Sequence, residues 1–271
     1  MLAGMTVSCA PSPRVETQPA TERTETVVRV QDRWLPLHLS RPPAGALTRP
    51  LLLYVTGDGG WRGKDLDTYK QLSLLEQPLA GFSAPDYLDH LRGGAESLSP
   101  GGLAQDFADI ATLAKGRLAL PASSTVILVG ISRGADLVVV AAAEPEFGPS
   151  VGGVLAVALT DQEEYVRHRP RRLFHPGSHE AGPPALEMVK PYDYIERIGA
   201  PLCVIQSTND QYVPAAKARE TFGPDAPGRQ LIAIQSRNHS FSDRRDALYD
   251  AMRRSIRWIL SSAAPALRHP S

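Results

Sequence analysis

The sequence predicts an α/β domain with a mostly parallel central sheet and helices on both faces. Three observations carry this. Short apolar runs alternate with helix-spaced segments along most of the chain, the order produced by successive βα units. The runs LLLYV, VILVG and LCVI are almost continuously apolar, as strands covered on both faces are. One of them, from Val126, ends in Gly-Ile-Ser-Arg-Gly at residues 130–134, a glycine-flanked serine between strand and helix signals.

Each element follows from its local pattern. TVVRVQD and RWLPLHLSRP alternate apolar with polar residues and open the domain as two strands. RPLLLYVTGDGGW is an apolar strand ending in a glycine cluster, and DLDTYKQLSLL then has helical spacing. PLAGFS reads as a short strand. Ser99-Pro100 opens a helix whose apolar face carries Leu103, Phe107, Ile110 and Leu113. STVILVG is a buried strand and GADLVVVAAA, beyond the serine, a helix. VGGVLAVALT and PLCVIQS are further strands, AAKARETFG is a helix ending at Gly223, and RQLIAIQS is the last strand. A final helix is expected from about Asp243 to Leu260.

The domain is expected over 25–262, between a disordered tail at 1–24 and a short tail at 263–271. Residues 160–190 break the rhythm, being polar, proline-rich and basic in their first half. A loop of that length in a compact domain is functional or disordered, and we expect a lid-like insertion over the active-site edge.

Composition excludes several classes. With 29 Lys plus Arg against 29 Asp plus Glu, net charge points to no nucleic-acid partner. No apolar run is long enough to span a bilayer. Of the two cysteines, Cys203 lies in an apolar strand and is expected as a buried thiol. Cys9 follows a short apolar start and precedes a Pro/Thr/Glu-rich tether, the order of a lipidated cysteine in a bacterial lipoprotein and so a possible membrane tether. No basic residue precedes it, so a cytoplasmic disordered tail stays open beside the exported reading. GDGGWRGKD approaches a phosphate-binding loop, but Asp58 stands where glycine is required and Asp65 where Ser or Thr would meet magnesium. His175 and His179 straddle Pro176-Gly177 and cannot form a helical metal pair. No metal and no cofactor are expected.

The serine motif asks for partners. A serine hydroxyl needs a base, and the base needs an orienting group. In nucleophile-elbow enzymes the chain order is Ser, Asp or Glu, then His, each after a strand. Ser132, Asp210 in QSTNDQYVP and His239 in QSRNHSF meet that order, so the α/β-hydrolase fold is the expected architecture. Asp161, after VLAVALT, is the competing acid. Oxyanion donors are expected from the backbone of Arg133 and from Asp58 or Gly59. Asp58 and Trp61 are candidate substrate-binding residues. For Asp58, a hold on a substrate ammonium stands beside a turn residue bonded to its own loop.

At these residues the sequence resembles the VirJ/AcvB family of bacterial virulence-associated α/β-hydrolases. TGDGGW is similar to the family's S-G-D-G-G-W and GISRGAD to its G-Y-S-F-G-A-D, the match running well over about residues 48–145. The segment IAIQSRNHSFSDRRDAL resembles the family's terminal segment more loosely. The resemblance implies a periplasmic location, the triad roles for Ser132, Asp210 and His239, and an ester substrate. Its AcvB member implies an aminoacyl-phospholipid, lysyl-phosphatidylglycerol. Arg133 replaces an aromatic residue, Thr56 a serine and Ser240 a histidine. A cation at 133 disfavours a lysyl group unless it is turned away or paired. A generic carboxylesterase or lipase, and a non-catalytic periplasmic binding or secretion-associated protein on the same scaffold, are the alternatives.

Overall fold

Eight strands and six α-helices lie among the residues described by the computed structural model, which are 22–30, 33–42, 49–91, 99–161 and 189–263. The strands are β1 Glu22–Val30, β2 Arg33–Arg41, β3 Leu51–Val55, β4 Leu79–Phe82, β5 Val126–Ile131, β6 Val151–Val157, β7 Leu202–Ser207 and β8 Arg229–Ile234. The helices are α1 Gly63–Ser73, α2 Ala84–Leu91, α3 Pro100–Leu118, α4 Arg133–Ala143, α5 Ala215–Phe222 and α6 Arg245–Ala263. β1 begins at Glu22, inside the expected tail. The tether around Cys9, the C-terminal residues beyond 263 and the lid expectation over 162–188 lie outside the described residues.

The strands form one sheet in the order β1-β2-β4-β3-β5-β6-β7-β8. β1, β2 and β4 pair antiparallel; from β4 through β3 to β8 every pairing is parallel. β3, β4 and β7 are buried at every position, because helices cover both faces. On one face Phe107 and Ile110 of α3 and Leu137 to Ala143 of α4 pack with Leu51, Leu53 and Val55. On the other, Tyr69 and Leu72 of α1 and Leu248, Met252, Ile256 and Ile259 of α6 cover Leu52, Tyr54, Ile127 and Val129. Alternate residues of β3 therefore feed two separate cores, which is why its sequence shows no polar position.

The helix at 84–91 was not among the elements expected from sequence, although a start signal is present. Ser83 Oγ accepts the N–H of Asp86 at 3.3 Å, the Ser-x-x-Asp form of a capping start with Pro85 in the first turn. Ser99 caps α3 by accepting Gly102 N–H at 3.0 Å. The long helix expected from Asp243 starts at Arg245 instead. Asp243 is used outside the helix, accepting Ser236 Oγ at 2.7 Å and Arg237 N–H at 3.1 Å.

From β3 the chain crosses through α1 to β4 on one side, then from β4 through α2 and α3 to β5 on the other side of β3. In a parallel sheet such a reversal opens a crevice at the carboxyl ends of the strands. The loops after β3, β5, β7 and β8 all emerge there.

Candidate active site

Ser132 sits at φ 52°, ψ −123°, backbone that a side-chain-bearing residue holds at a cost of about 1–3 kcal/mol. The surroundings impose it. Ser132 N–H donates to Val157 O at 2.8 Å, and its carbonyl accepts Ala135 N–H at 2.7 Å to start α4. A methyl group on Gly130 would lie 2.2 Å from Gly134 O, and one on Gly134 would lie 2.3 Å from Val55 O. Both positions must be glycine for strand and helix to pass so closely. A serine at a helix start ordinarily caps it, but Ser132 makes no side-chain cap. Its Oγ instead lies 2.8 Å from His239 Nε2.

His239 Nδ1 lies 2.7 Å from Asp210 Oδ2. These partners assign the tautomer, with Nδ1–H donating to the carboxylate and Nε2 left to accept the serine proton. The Asp210 side chain is fully buried and its charge is met by donors. Oδ1 accepts Tyr212 N–H at 2.9 Å and Val213 N–H at 3.4 Å, and Oδ2 accepts Gln206 Nε2 at 3.3 Å. The Tyr212 ring stands edge-on to the imidazole at 4.9 Å, and Gln211 Oε1 accepts His239 N–H at 3.2 Å. Asp161 is not at the histidine; it pairs with Lys217 at 2.8 Å.

The two expected oxyanion segments flank Ser132. Arg133 is the first residue of α4, where the helical ladder provides no acceptor for its N–H. The loop at 56–60 comes from β3 and approaches Ser132 at Gly57, where an added methyl would meet Ser132 Cβ at 3.4 Å. Gly57 N–H itself is held by Asp65 Oδ1 at 2.8 Å, so Asp58 and Gly59 remain the candidates on this strand. The Thr56 hydroxyl accepts Ala84 N–H at 3.1 Å.

Asp65 is the residue sequence reasoning missed. Beyond Gly57, its Oδ1 accepts the hydroxyl of fully buried Tyr54 at 3.1 Å, and a methyl on Gly59 would strike Oδ2 at 2.6 Å. One carboxylate thus shapes the loop and dictates a glycine in it. Burial raises the Asp65 carboxyl above its ordinary range, while the Gly57 N–H and Tyr54 O–H pull it down. Burial, then the neighbouring Asp65, pushes the Tyr54 phenol far up. The only sequence signal was an acid three residues into a helix following a glycine loop, a common arrangement. Asp136 has a similar anchoring use, its oxygens accepting the N–H and hydroxyl of Thr160 at 2.9 and 2.8 Å.

Two expectations need correction. Trp61 does not face the cavity. Its indole stacks on His38 at 3.8 Å and 5° and meets Tyr69 edge-on at 4.7 Å, because a large ring buries more apolar area among aromatic residues beside β4 than over the open crevice. The Asp58 carboxylate is engaged, lying 2.8 Å from Arg133 Nε. The printed partner of its carboxylate is thus a side chain of α4, and the cation beside Ser132 is paired.

A cavity of about 1120 Å³ opens over Ser132 and His239. Among the described residues no group of three or more His, Cys, Asp or Glu could hold a metal, and no helix is long and apolar enough to cross a membrane.

Sheet order, the strained serine and the helices on both faces define an α/β-hydrolase fold. Solved structures agree on the fold. Est1E from Butyrivibrio proteoclasticus aligns with a TM-score of 0.56 at 11% identity, over 89% of this chain and 99% of its own. An α/β serine hydrolase homologue from Coxiella burnetii gives 0.58 at 14%, over 88% and 99%. An α/β serine hydrolase without lid from Xanthomonas campestris gives 0.56 at 16%, over 88% and 95%. No curated protein sequence matches. Within that fold, residues 50–165 match the family model described as bacterial virulence protein (VirJ), so the likeness seen in TGDGGW and GISRGAD holds. The matched segment carries Ser132 and the 56–60 loop; Asp210 and His239 lie beyond it.

Proposed function

We propose that the protein is a serine hydrolase that cleaves an ester through an acyl-enzyme. The observation that carries this reading is the continuous relay from Ser132 Oγ through His239 to Asp210, at 2.8 and 2.7 Å, with the serine on backbone that lifts it to the mouth of a cavity. In the proposed reaction His239 Nε2 takes the hydroxyl proton as Oγ attacks the carbonyl carbon. The oxyanion is received by the N–H of Arg133 and that of Asp58 or Gly59. The imidazolium, oriented by Asp210, then protonates the departing alcohol, and water repeats the cycle on the acyl-serine.

Labelling with a fluorophosphonate probe tests this. Wild type should label, and Ser132→Ala and His239→Ala should not. A folded wild type that stays unlabelled and releases no acid from short-chain esters would overturn the reading and favour the binding-protein alternative.

As the finer substrate we propose an aminoacyl-phospholipid such as lysyl-phosphatidylglycerol, handled at a periplasmic membrane surface. The VirJ resemblance supports it, and the pairing of Arg133 with Asp58 removes the objection that a bare cation stands at the nucleophile. Asp58 is not proposed as the ammonium site, since Arg133 already holds it. Lysine release from lysyl-phosphatidylglycerol vesicles, measured against a simple glycerol ester, decides this. A preference for the simple ester would leave a generic esterase.

A further inference from the structure

The sheet has two edges, and they are finished differently. At β8 side chains close the edge. Asp225 Oδ1 accepts Leu231 N–H at 3.0 Å, Arg219 donates to Leu231 O at 2.8 Å, and Ala226 pairs with Arg229. Backbone bonded in this way offers little to another strand. At the other edge β1 pairs with β2 alone among the described residues. Proline, lysine and bulges, the usual guards of an edge, are missing from its nine residues, and its register with β2 is unbroken. The two faces of β1 differ as well. Val28 and Val30 share a core with residues of α3, whereas Glu25, Val27 and Arg29 are exposed. Two of the four exposed large apolar side chains among the described residues lie on this hairpin, Val27 at 48% and Trp34, which faces Arg29 from β2, at 63%.

β1 and β2 meet last at Val30 and Arg33, two residues apart. In a hairpin closed at that spacing the closing pair is bonded across it, and every second residue back from Arg29 turns its N–H and C=O outward. Those residues are Arg29, Val27, Glu25 and Arg23, all exposed. We propose that β1 pairs antiparallel with β1 of a second copy of this chain, across a two-fold axis at Val27. In that register Val27 faces Val27, and Arg29 of each copy faces Glu25 of the other. Centring on Thr26, Glu25 or Arg29 instead sets Arg23 against Arg29, Glu25 against itself or Arg29 against itself, and like charges directly opposite destabilise a pair. Centring on Val28 pairs no opposite charges. Centring on Thr24 faces Arg23 with Glu25, but Arg23 already donates to Ser73 Oγ at 3.0 Å and Val27 stays uncovered. Charge complementarity therefore selects both the partner and the register. Glu25 faces His38 in its own hairpin and pairs with it at 3.3 Å. A row of side chains then crosses four strands, Trp34 and Arg29 of one copy followed by Glu25 and His38 of the other.

Sedimentation velocity of the full chain at about 1 to about 200 µM tests this, because a strand pair without a larger interface gives a weak, concentration-dependent complex. Wild type should shift from one chain to two within that range. Glu25→Arg and Arg29→Glu should each raise the dissociation constant about tenfold or more, since each sets like charges opposite at both ends of the pair. Mixed in equal amounts, the two variants should associate again, and so should the double variant Glu25→Arg/Arg29→Glu, because opposite charges face once more. Val27→Pro should abolish the dimer and leave the far-ultraviolet circular dichroism unchanged, as it removes an amide that points away from β2. Val27→Cys in a chain that also carries Cys9→Ser should cross-link to itself under oxidation faster than Leu74→Cys in the same background, Leu74 being exposed elsewhere. A wild type that stays monomeric over the whole range would overturn the proposal. So would charge variants whose mixture associates no better than either alone, or a dimer that persists with Val27→Pro.

Discussion

Two loops meet at Ser132, and they are held in different ways. In the loop at 56–60 one half-buried carboxylate, Asp65, both bonds Gly57 and crowds Gly59, beside the pairing of Asp58 with Arg133 and the Arg62 bond to Gly59 O. The loop carrying His239 is tied at many points. Asp243 accepts from Ser236 and Arg237, Asn238 from Ser240 and Ser242, Gln211 from the His239 amide, and Arg245 donates to the Ser240 carbonyl. The difference follows the tasks proposed for them. The imidazole must stay aligned through two proton transfers, and redundant bonds tolerate the loss of any one. An oxyanion donor has only to point correctly, and a few anchors, with Asp65 shaping two positions at once, do that.

The sharpest way to break the comparison is at the relay. Asp210→Asn should keep the fold and lower kcat by about 10³- to 10⁴-fold, because the amide favours the wrong histidine tautomer; steady-state ester hydrolysis and circular dichroism check both halves. Next comes the anchor that shapes two loop positions at once. Asp65→Asn should lower kcat by about 10- to 100-fold with little change in KM, since a misplaced oxyanion donor acts on the transition state alone. If kcat is unchanged, Asp65 merely fills space. The redundant loop supplies the contrast, as Asp243→Asn should cost kcat less than about threefold in the same assay.

The smallest effect concerns the aromatic stack behind the oxyanion loop. Burial holds the His38 imidazole below its ordinary value of 6.5, outweighing the attraction of Glu25 and Asp86. The unfolded chain therefore binds this proton more readily than the folded one. Stability from this group is full above the unfolded value and is lost as pH falls through and below it. Denaturant midpoints should drop below about pH 6.5, and His38→Phe, which keeps a ring against Trp61, should flatten that slope. An unaltered slope would assign it to other groups.

Much of this was legible beforehand, for physical reasons. β3, β5 and β7 announce themselves because burial on both faces removes polar alternation. The relay was legible because strand ends deliver Ser, Asp and His in a fixed order. What escaped depends on where side chains turn. The direction of Trp61 follows from Gly60 at φ 66° and from partners on β2 and α1, far off in sequence. The pairing of Asp58 with Arg133 joins the loop after β3 to the first residue of α4. The role of Asp65 arises only when α1 packs its first turn under a loop that precedes it. The helix at 84–91 is different, since its Ser-x-x-Asp start was in plain view.

The interlocked glycines at 130 and 134 carry a further consequence. Each occupies with its own backbone, or yields to a neighbour's backbone, the space a side chain at that position would need, and main chain cannot be repacked by changing a residue elsewhere. A replacement at either position must move main chain, which repacking a side chain elsewhere does not by itself supply. Among descendants of this chain the pair should therefore stay invariant while surrounding core residues exchange freely, and a saturation library should show two empty columns bracketing Ser132 whatever substrate is used to select it.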